Sequence, residues 1–213
     1  MLLETLREVV CKCNLELPKT GLVRMTSGNV SGRDPETGLV VIKPSGYAYE
    51  GMMPEHMVVV DLDGRVIDGT LKPSVDTDTH LYVYKHRPDV FGMVHTHSPY
   101  ATSFAALGRP IPACLTTCAL VGGEVPLGGY APIGGEDIGQ EIISKIGNAL
   151  AIIMQNHGVF TIGSSAQHAT KVAVEVEEIA RITHLAMLVG QPIFLTPEQL
   201  KHMDNLYRNQ YGQ

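Results

Sequence analysis

The chain has 213 residues, 44% of them hydrophobic, and 16 basic against 22 acidic side chains give a formal net charge of −6. A chain of this size buries roughly 70% of its unfolded surface, which excludes disorder and a fold that needs disulfides or a structural metal. No run of lysine or arginine forms a stripe that collects phosphates along a duplex, which excludes nucleic acid as a partner.

No apolar stretch approaches the ~18–20 residues that cross a bilayer. Met1 to Val10 mixes acids and bases among leucines, unlike a signal peptide. A soluble, cytoplasmic protein forming one domain over residues 1–213 is therefore expected, with no membrane partner. Cys11, Cys13, Cys114 and Cys118 fit neither a secreted disulfide framework nor a zinc ribbon, so reduced and mostly buried thiols are expected.

In chain order, Leu2, Leu6, Val9, Val10 and Cys13 recur at helical spacing, predicting a helix to about Leu15 that ends before Pro18. Ser27–Ser31 and Gly38–Ile42 flank a turn at residues 34–38, and Met57–Leu62 and Arg65–Ile67 bracket Asp63-Gly64, predicting an antiparallel meander. Thr77–His86 reads as a helix and Val90–His97 as a strand. Ser98-Pro99 supplies an N-cap and first-turn proline for a helix to Leu107. A loop over residues 108–135 leads to a helix over Glu136–Gly147 and a strand pair over Ala149–Ile162 around Gly158. Ser164 and Gln167 form a capping-box pattern for the longest helix, whose stripe Val172, Val176, Ile179, Thr183 and Ala186 is expected to pack on the sheet until Gly190 and Pro192.

His95-Thr96-His97 closes an apolar strand. Residues two apart on a strand share a face, so the two imidazoles enter the same space as half of a metal site. His157, before Gly158 and after another apolar strand, is the best third ligand. Asp76 or Asp78 is the nearby acid, although Asp76 could instead cap the following helix. His56, His80, His86, His168, His184 and His202 lack such pairing and read as surface or helix-face residues. Ser27-Gly28-Asn29, Lys43-Pro44-Ser45-Gly46 and Lys72-Pro73-Ser74 each join a hydroxyl or amide side chain to a turn, which suits an anion held partly by backbone amides.

S-G-N-V-S at 27–31, K-P-S-G at 43–46, K-P-S-V-D at 72–76, V-H-T-H-S at 94–98 and N-H-G-V-F at 156–160 together resemble the class II aldolase/adducin-head family, which includes L-ribulose-5-phosphate 4-epimerase and L-fuculose-phosphate aldolase. The resemblance implies a three-layer α/β/α domain with a central, mainly antiparallel sheet. It implies a homotetramer with the site at the subunit interface, a phosphorylated ketose substrate, and Zn2+ or another divalent transition metal. By the same resemblance His95, His97 and His157 hold the metal with Asp76 beside them, and Gly28, Asn29, Lys43, Ser45, Gly46 and Ser74 bind phosphate. Asp76 and Tyr211 move protons.

Aspartate rather than glutamate at Asp76 leans toward the epimerase; the alternative is aldol cleavage releasing dihydroxyacetone phosphate and an aldehyde. Val75 stands where many members carry serine. Leu120 falls near the place of an epimerase aspartate, which leaves Glu124 or a water for that role. Two rivals are weaker. An adducin-head scaffold has no need of converging imidazoles, and a cupin-type oxygenase wants a glutamate shortly after H-x-H, where Ser98–Gly108 has no acid.

Overall fold

A computed structural model describes residues 1–210, the side chain of Arg208 excepted. Among these residues eight strands form one sheet in the order β4-β3-β2-β1-β5-β8-β7-β6. The strands are β1 (Asn29–Arg33), β2 (Val40–Ile42), β3 (Val58–Val60), β4 (Val66–Asp68), β5 (Gly92–Thr96), β6 (Leu127–Gly128), β7 (Ala151–Met154) and β8 (Val159–Gly163). Every pairing is antiparallel except β6 with β7. The predicted meander is β1 to β4, with the first strand beginning at Asn29 rather than Ser27.

Among the described residues there are six α-helices, α1 (Glu4–Lys19), α2 (Thr77–His86), α3 (Pro99–Leu107), α4 (Asp137–Lys145), α5 (Ala166–Val189) and α6 (Pro197–Asn209); the first five flank the sheet, and α6 packs against the 3-10 segment Thr116–Val121. Strand side chains alternate, so each inner strand feeds two cores. Val30, Val41 and Val94 pack with Val10, Leu17 and Ala173 of α1 and α5. Met93, Phe160 and Ile162 point the other way and meet Leu81, Tyr84, Ile138 and Ile142 of α2 and α4. A third cluster joins α3, α5 and the sheet edge through Phe104, Ile153, Val176 and Ile179. Each fully buried aliphatic side chain contributes roughly 1.5–3 kcal/mol, and the result is the expected α/β/α layering.

Several boundaries differ from the sequence reading. α1 runs past Pro18 to Lys19, because a proline in the last turn removes only one bond and Gly21 ends the helix instead. Gly21 has φ +75°, with Gly21 N–H on Pro18 O and Leu22 N–H on Leu17 O, a left-handed termination that also brings Leu17 and Leu22 into the core. The cap of α5 is Ser165, which accepts from His168 N–H at 3.1 Å, not Ser164 with Gln167. The buried stripe of α5 stops at Thr183, and Ala186 is exposed. Ser98 occupies the N-cap of α3 without a side-chain cap bond; the Glu177 carboxylate takes the Tyr100 and Ala101 amides, both at 2.9 Å. The loop over 108–135 contains a 3-10 segment, Thr116–Val121, as well as β6, and α6 lies beyond the predicted elements. The four cysteines are free, and three of them are buried. No helix among the described residues is long and apolar enough to cross a membrane.

The site-bearing strand is held very tightly at its start. A Cβ on Gly92 would lie 2.1 Å from Ser165 O, at the beginning of α5.

Candidate active site

Asn29, His95 and Phe160 form one row across β1, β5 and β8, on the face covered by α2 and α4. His95 is buried at the end of β5, its ring stacked on Phe160 at 4.2 Å. His97, two residues on, emerges past the strand end, and its ring centroid lies 4.7 Å from that of His95. His157 arrives from the tight turn between β7 and β8, with ring centroids 4.8 Å from His95 and 5.3 Å from His97. That turn needs Asn156 at φ +58° and a bare residue at Gly158, where a Cβ would meet Thr96 O at 2.5 Å and His97 Cδ2 at 2.7 Å.

The three histidines each offer a nitrogen, and these atoms lie within 4.8 Å of one another. His95 Nδ1 is 3.0 Å from Val159 O, so it donates there and leaves the Nε2 lone pair free. His157 Nδ1 is buried and has no partner among the described residues. Burial lowers the basicity of all three, His95 to about 3, which keeps the rings in the neutral form that ligates metals. The donor set fits a divalent transition metal with an open position.

Asp76 stands at the N-cap of α2, but its carboxylate makes no cap bond. Oδ2 accepts from Asn29 Nδ2 at 2.7 Å, with Ser74 Oγ at 3.4 Å, so the carboxylate turns into the site. Burial pushes its pKa up, yet His95, His80 and the Asn29 amide outweigh that and hold it below the ordinary carboxylate range. Asp78 does not line the cleft.

A cleft of about 230 Å³ opens from the histidines to the serine-glycine segments. Gly28, Asn29, Lys43, Ser45, Gly46, Ser74, Asp76, His95, His97 and His157 all line it. Ser45 N–H bonds Lys72 O at 2.9 Å and Ser74 N–H bonds Lys43 O at 3.0 Å, which locks two of the anion segments together. Gly28, at φ +75°, lies so close to His95 O that a Cβ would stand 2.8 Å from it. Lys43 is buried, with Nζ donating to Thr26 O at 3.2 Å and 4.9 Å from the Tyr49 ring centroid. Tyr49 O–H is 2.8 Å from Ser27 O and 2.9 Å from Gly28 O. Lys43 and Tyr49 thus take up the carbonyls of residues 26–28. Burial lowers the Lys43 pKa to about 8, with Asp76 opposing that shift.

Thr26 and Ile133 also line the cleft and carried no distinguishing sequence signal; Ile133 is 66% exposed and Val75, on the same rim, 58%. Leu120 and Glu124 do not line it. His80 departs from its reading as a surface or helix-face histidine: it is fully buried beneath the site, with Nδ1 2.7 Å from Ser31 Oγ. Tyr211 lies outside the described residues.

A layered α/β/α fold thus brings three neutral imidazoles and a carboxylate, a donor set that fits a metal, to one end of a cleft. Residues 8–184 match the Class II Aldolase and Adducin N-terminal domain, and the chain belongs to that family. Among solved structures, an L-fuculose 1-phosphate aldolase superposes with TM-score 0.90 at 29% identity, covering 98% of each chain. YgbL from Klebsiella pneumoniae matches with TM-score 0.82 at 29% identity over 95% of this chain and 99% of its own. L-fuculose 1-phosphate aldolase from Glaciozyma antarctica PI12 matches with TM-score 0.80 at 25% identity, over 95% of this chain and 81% of that one.

Proposed function

We propose that this protein is a zinc-dependent class II aldolase that cleaves a phosphorylated ketose into dihydroxyacetone phosphate and an aldehyde. The observation that carries the reading is the convergence of three histidine nitrogens within 4.8 Å, in a cleft that also holds a carboxylate and a buried lysine. His95, His97 and His157 would hold the metal with Asp76 alongside; when bound, it supplies a Lewis acid for the negative charge that develops on the ketose oxygens.

The chain's own residues account for binding and proton transfer. Gly28, Asn29, Ser45, Gly46 and Ser74 grip the phosphate, and Lys43 adds positive charge from beneath. Asp76, acceptor-ready and oriented by Asn29, takes the proton of the substrate hydroxyl whose oxygen becomes the aldehyde. Holding the phosphate at one end and the reacting carbons at the other keeps the fragments aligned. Tyr211 is assigned as a proton donor reaching a neighbouring copy in a homotetramer whose sites lie at subunit boundaries. Residues 1–213 act as one domain, and a cytoplasmic setting suits four free cysteines.

A second reading, pentulose-phosphate 4-epimerisation, is favoured by aspartate at Asp76. It also requires an acid on the far face of the aldehyde, and the resemblance puts that acid near position 120, where this chain has leucine. Cleavage therefore comes first. The deciding experiment incubates the protein with L-fuculose 1-phosphate and with L-ribulose 5-phosphate, assaying dihydroxyacetone phosphate and xylulose 5-phosphate separately. Release of dihydroxyacetone phosphate supports the aldolase and xylulose 5-phosphate alone the epimerase; neither product, with metal bound, sinks both.

A further inference from the structure

His80 ends a buried polar chain, centred on Ser31, that the proposed chemistry does not use. Ser31 Oγ is 2.7 Å from Tyr84 O–H and 2.7 Å from His80 Nδ1. All three side chains are essentially inaccessible. The phenol, buried and held protonated by that burial, has a hydrogen to donate, and Ser31 Oγ is the acceptor within reach. A serine hydroxyl has a single hydrogen, and with the phenol donating to Ser31 Oγ, His80 Nδ1 is the acceptor within hydrogen-bond distance of that hydrogen among the described residues. Nδ1 is then an acceptor, and a neutral ring carries its proton on Nε2. Burial does keep the ring neutral, lowering its pKa to about 4.

Nε2 is buried and has no partner among the described residues. A buried N–H donor left unpaired is unfavourable, so its retention calls for an acceptor in the working protein. The charge acting on the ring is that of Asp76, one helical turn earlier, whose backbone O accepts the His80 amide at 3.0 Å. The spacing is matched on the strand side. Asn29 and Ser31, two apart on β1 and on one face, hold Asp76 and His80, four apart on α2. Strand and helix periods coincide there, at about 6–7 Å each.

We infer that His80 is a positioning residue for Asp76: the Tyr84–Ser31 hydroxyl chain selects its Nε2–H tautomer, and that N–H supports the Asp76 carboxylate from behind through one water. This rests on the role given to Asp76 above, and it adds a residue that never touches substrate.

The test combines a spectroscopic and a kinetic reading on the full chain. Nitrogen-15 NMR of histidine-labelled protein should show His80 with unprotonated Nδ1 and protonated Nε2, and Ser31→Ala should convert it to a mixture of tautomers. In the cleavage assay His80→Leu, apolar and of similar bulk, should lower kcat by about 10–100-fold, the range typical of lost supporting bonds. KM and bound metal should stay unchanged. His80→Gln, which restores an N–H near the Nε2 position, should recover most of the rate at the same melting temperature. Should His80→Leu not fold, Ser31→Ala carries the same kinetic expectation.

An Nδ1–H tautomer in the wild type, equal losses in the Leu and Gln variants, or an unchanged kcat in His80→Leu would each overturn the inference. The tautomer is read without substrate. A wild-type protein that cleaves no ketose would therefore fail the activity reading, while the NMR result alone would decide this one.

Discussion

Asn29 and His95 are register partners across β1 and β5, and the Asn29 amide holds the Asp76 carboxylate at 2.7 Å. One cross-strand pair therefore places both a proposed metal ligand and the proposed proton acceptor. The distance between them is set by sheet register, which is far stiffer than a loop.

His157→Ala should abolish turnover and reduce metal content by more than the ~10–100-fold associated with losing a supporting bond. The fold should persist, because His157 sits on a turn and is only half-buried. Metal analysis after gel filtration, beside circular dichroism, checks this; full metal content with full activity would remove the triad from the mechanism.

Lys43 should impose an alkaline limb on kcat/KM near pH 8. Its folded pKa is lowered to about 8 by burial, so the charge that attracts phosphate fades as pH rises through that value. Rate profiles from pH 6 to 10 should show the limb in the wild type and not in Lys43→Met, whose kcat/KM should be low throughout.

Gly28→Ala should destabilise the protein by roughly 1–3 kcal/mol, the usual range for a residue forced into the left-handed region. At this chain length that is a melting shift of about 2–4 °C per kcal/mol. The new methyl would also press on the Val23 side chain and His95 O, at 2.5 and 2.8 Å before relaxation. Metal affinity should fall along with thermal stability. An unchanged melting curve would show that the loop yields freely.

The H-x-H pair was legible because a strand's period of two is unambiguous, and His157 because a glycine follows it. The partner of Asp76 was not, since the cap position of Asp76 and the β1 position of Asn29 meet only once the sheet is assembled. His80 was missed for a related reason: an i, i+4 aspartate–histidine spacing looks the same on a solvated helix as on one pressed against Ser31 and Phe160. α6 had a usable signal in Thr196-Pro197 with Gln199, whose reciprocal cap bonds are 2.9 and 3.3 Å. β6, two residues long, offers no periodicity to detect.

Val75→Ser should tighten binding of a phosphorylated substrate. A hydroxyl bonded to a charged group contributes about 1.5–3 kcal/mol, so KM should fall by roughly 10- to 150-fold with kcat little changed. Steady-state kinetics on the ketose that proves active would test it; a higher KM would mean that the apolar rim formed by Val75 and Ile133 is itself a contact surface.

Acid should weaken the metal-free protein. The His80 pKa drops from 6.5 unfolded to about 4 folded, so the unfolded chain binds the extra proton and stability falls as pH goes from 6.5 toward 4. At about 1.4 kcal/mol per pH unit, His80 alone accounts for roughly 2 kcal/mol lost by pH 5. Urea midpoints in chelator at pH 7.5 and 5 should show the loss, and His80→Leu should reduce it.

Gly92 leaves β5 no slack against the start of α5. Any variant with a bulkier atom there would have to push the helix outward or slide the strand, and sliding would carry His95 and His97 away from His157 together. Sequence variation tolerated at position 92 is thus a gauge of whether a relative still assembles the same centre.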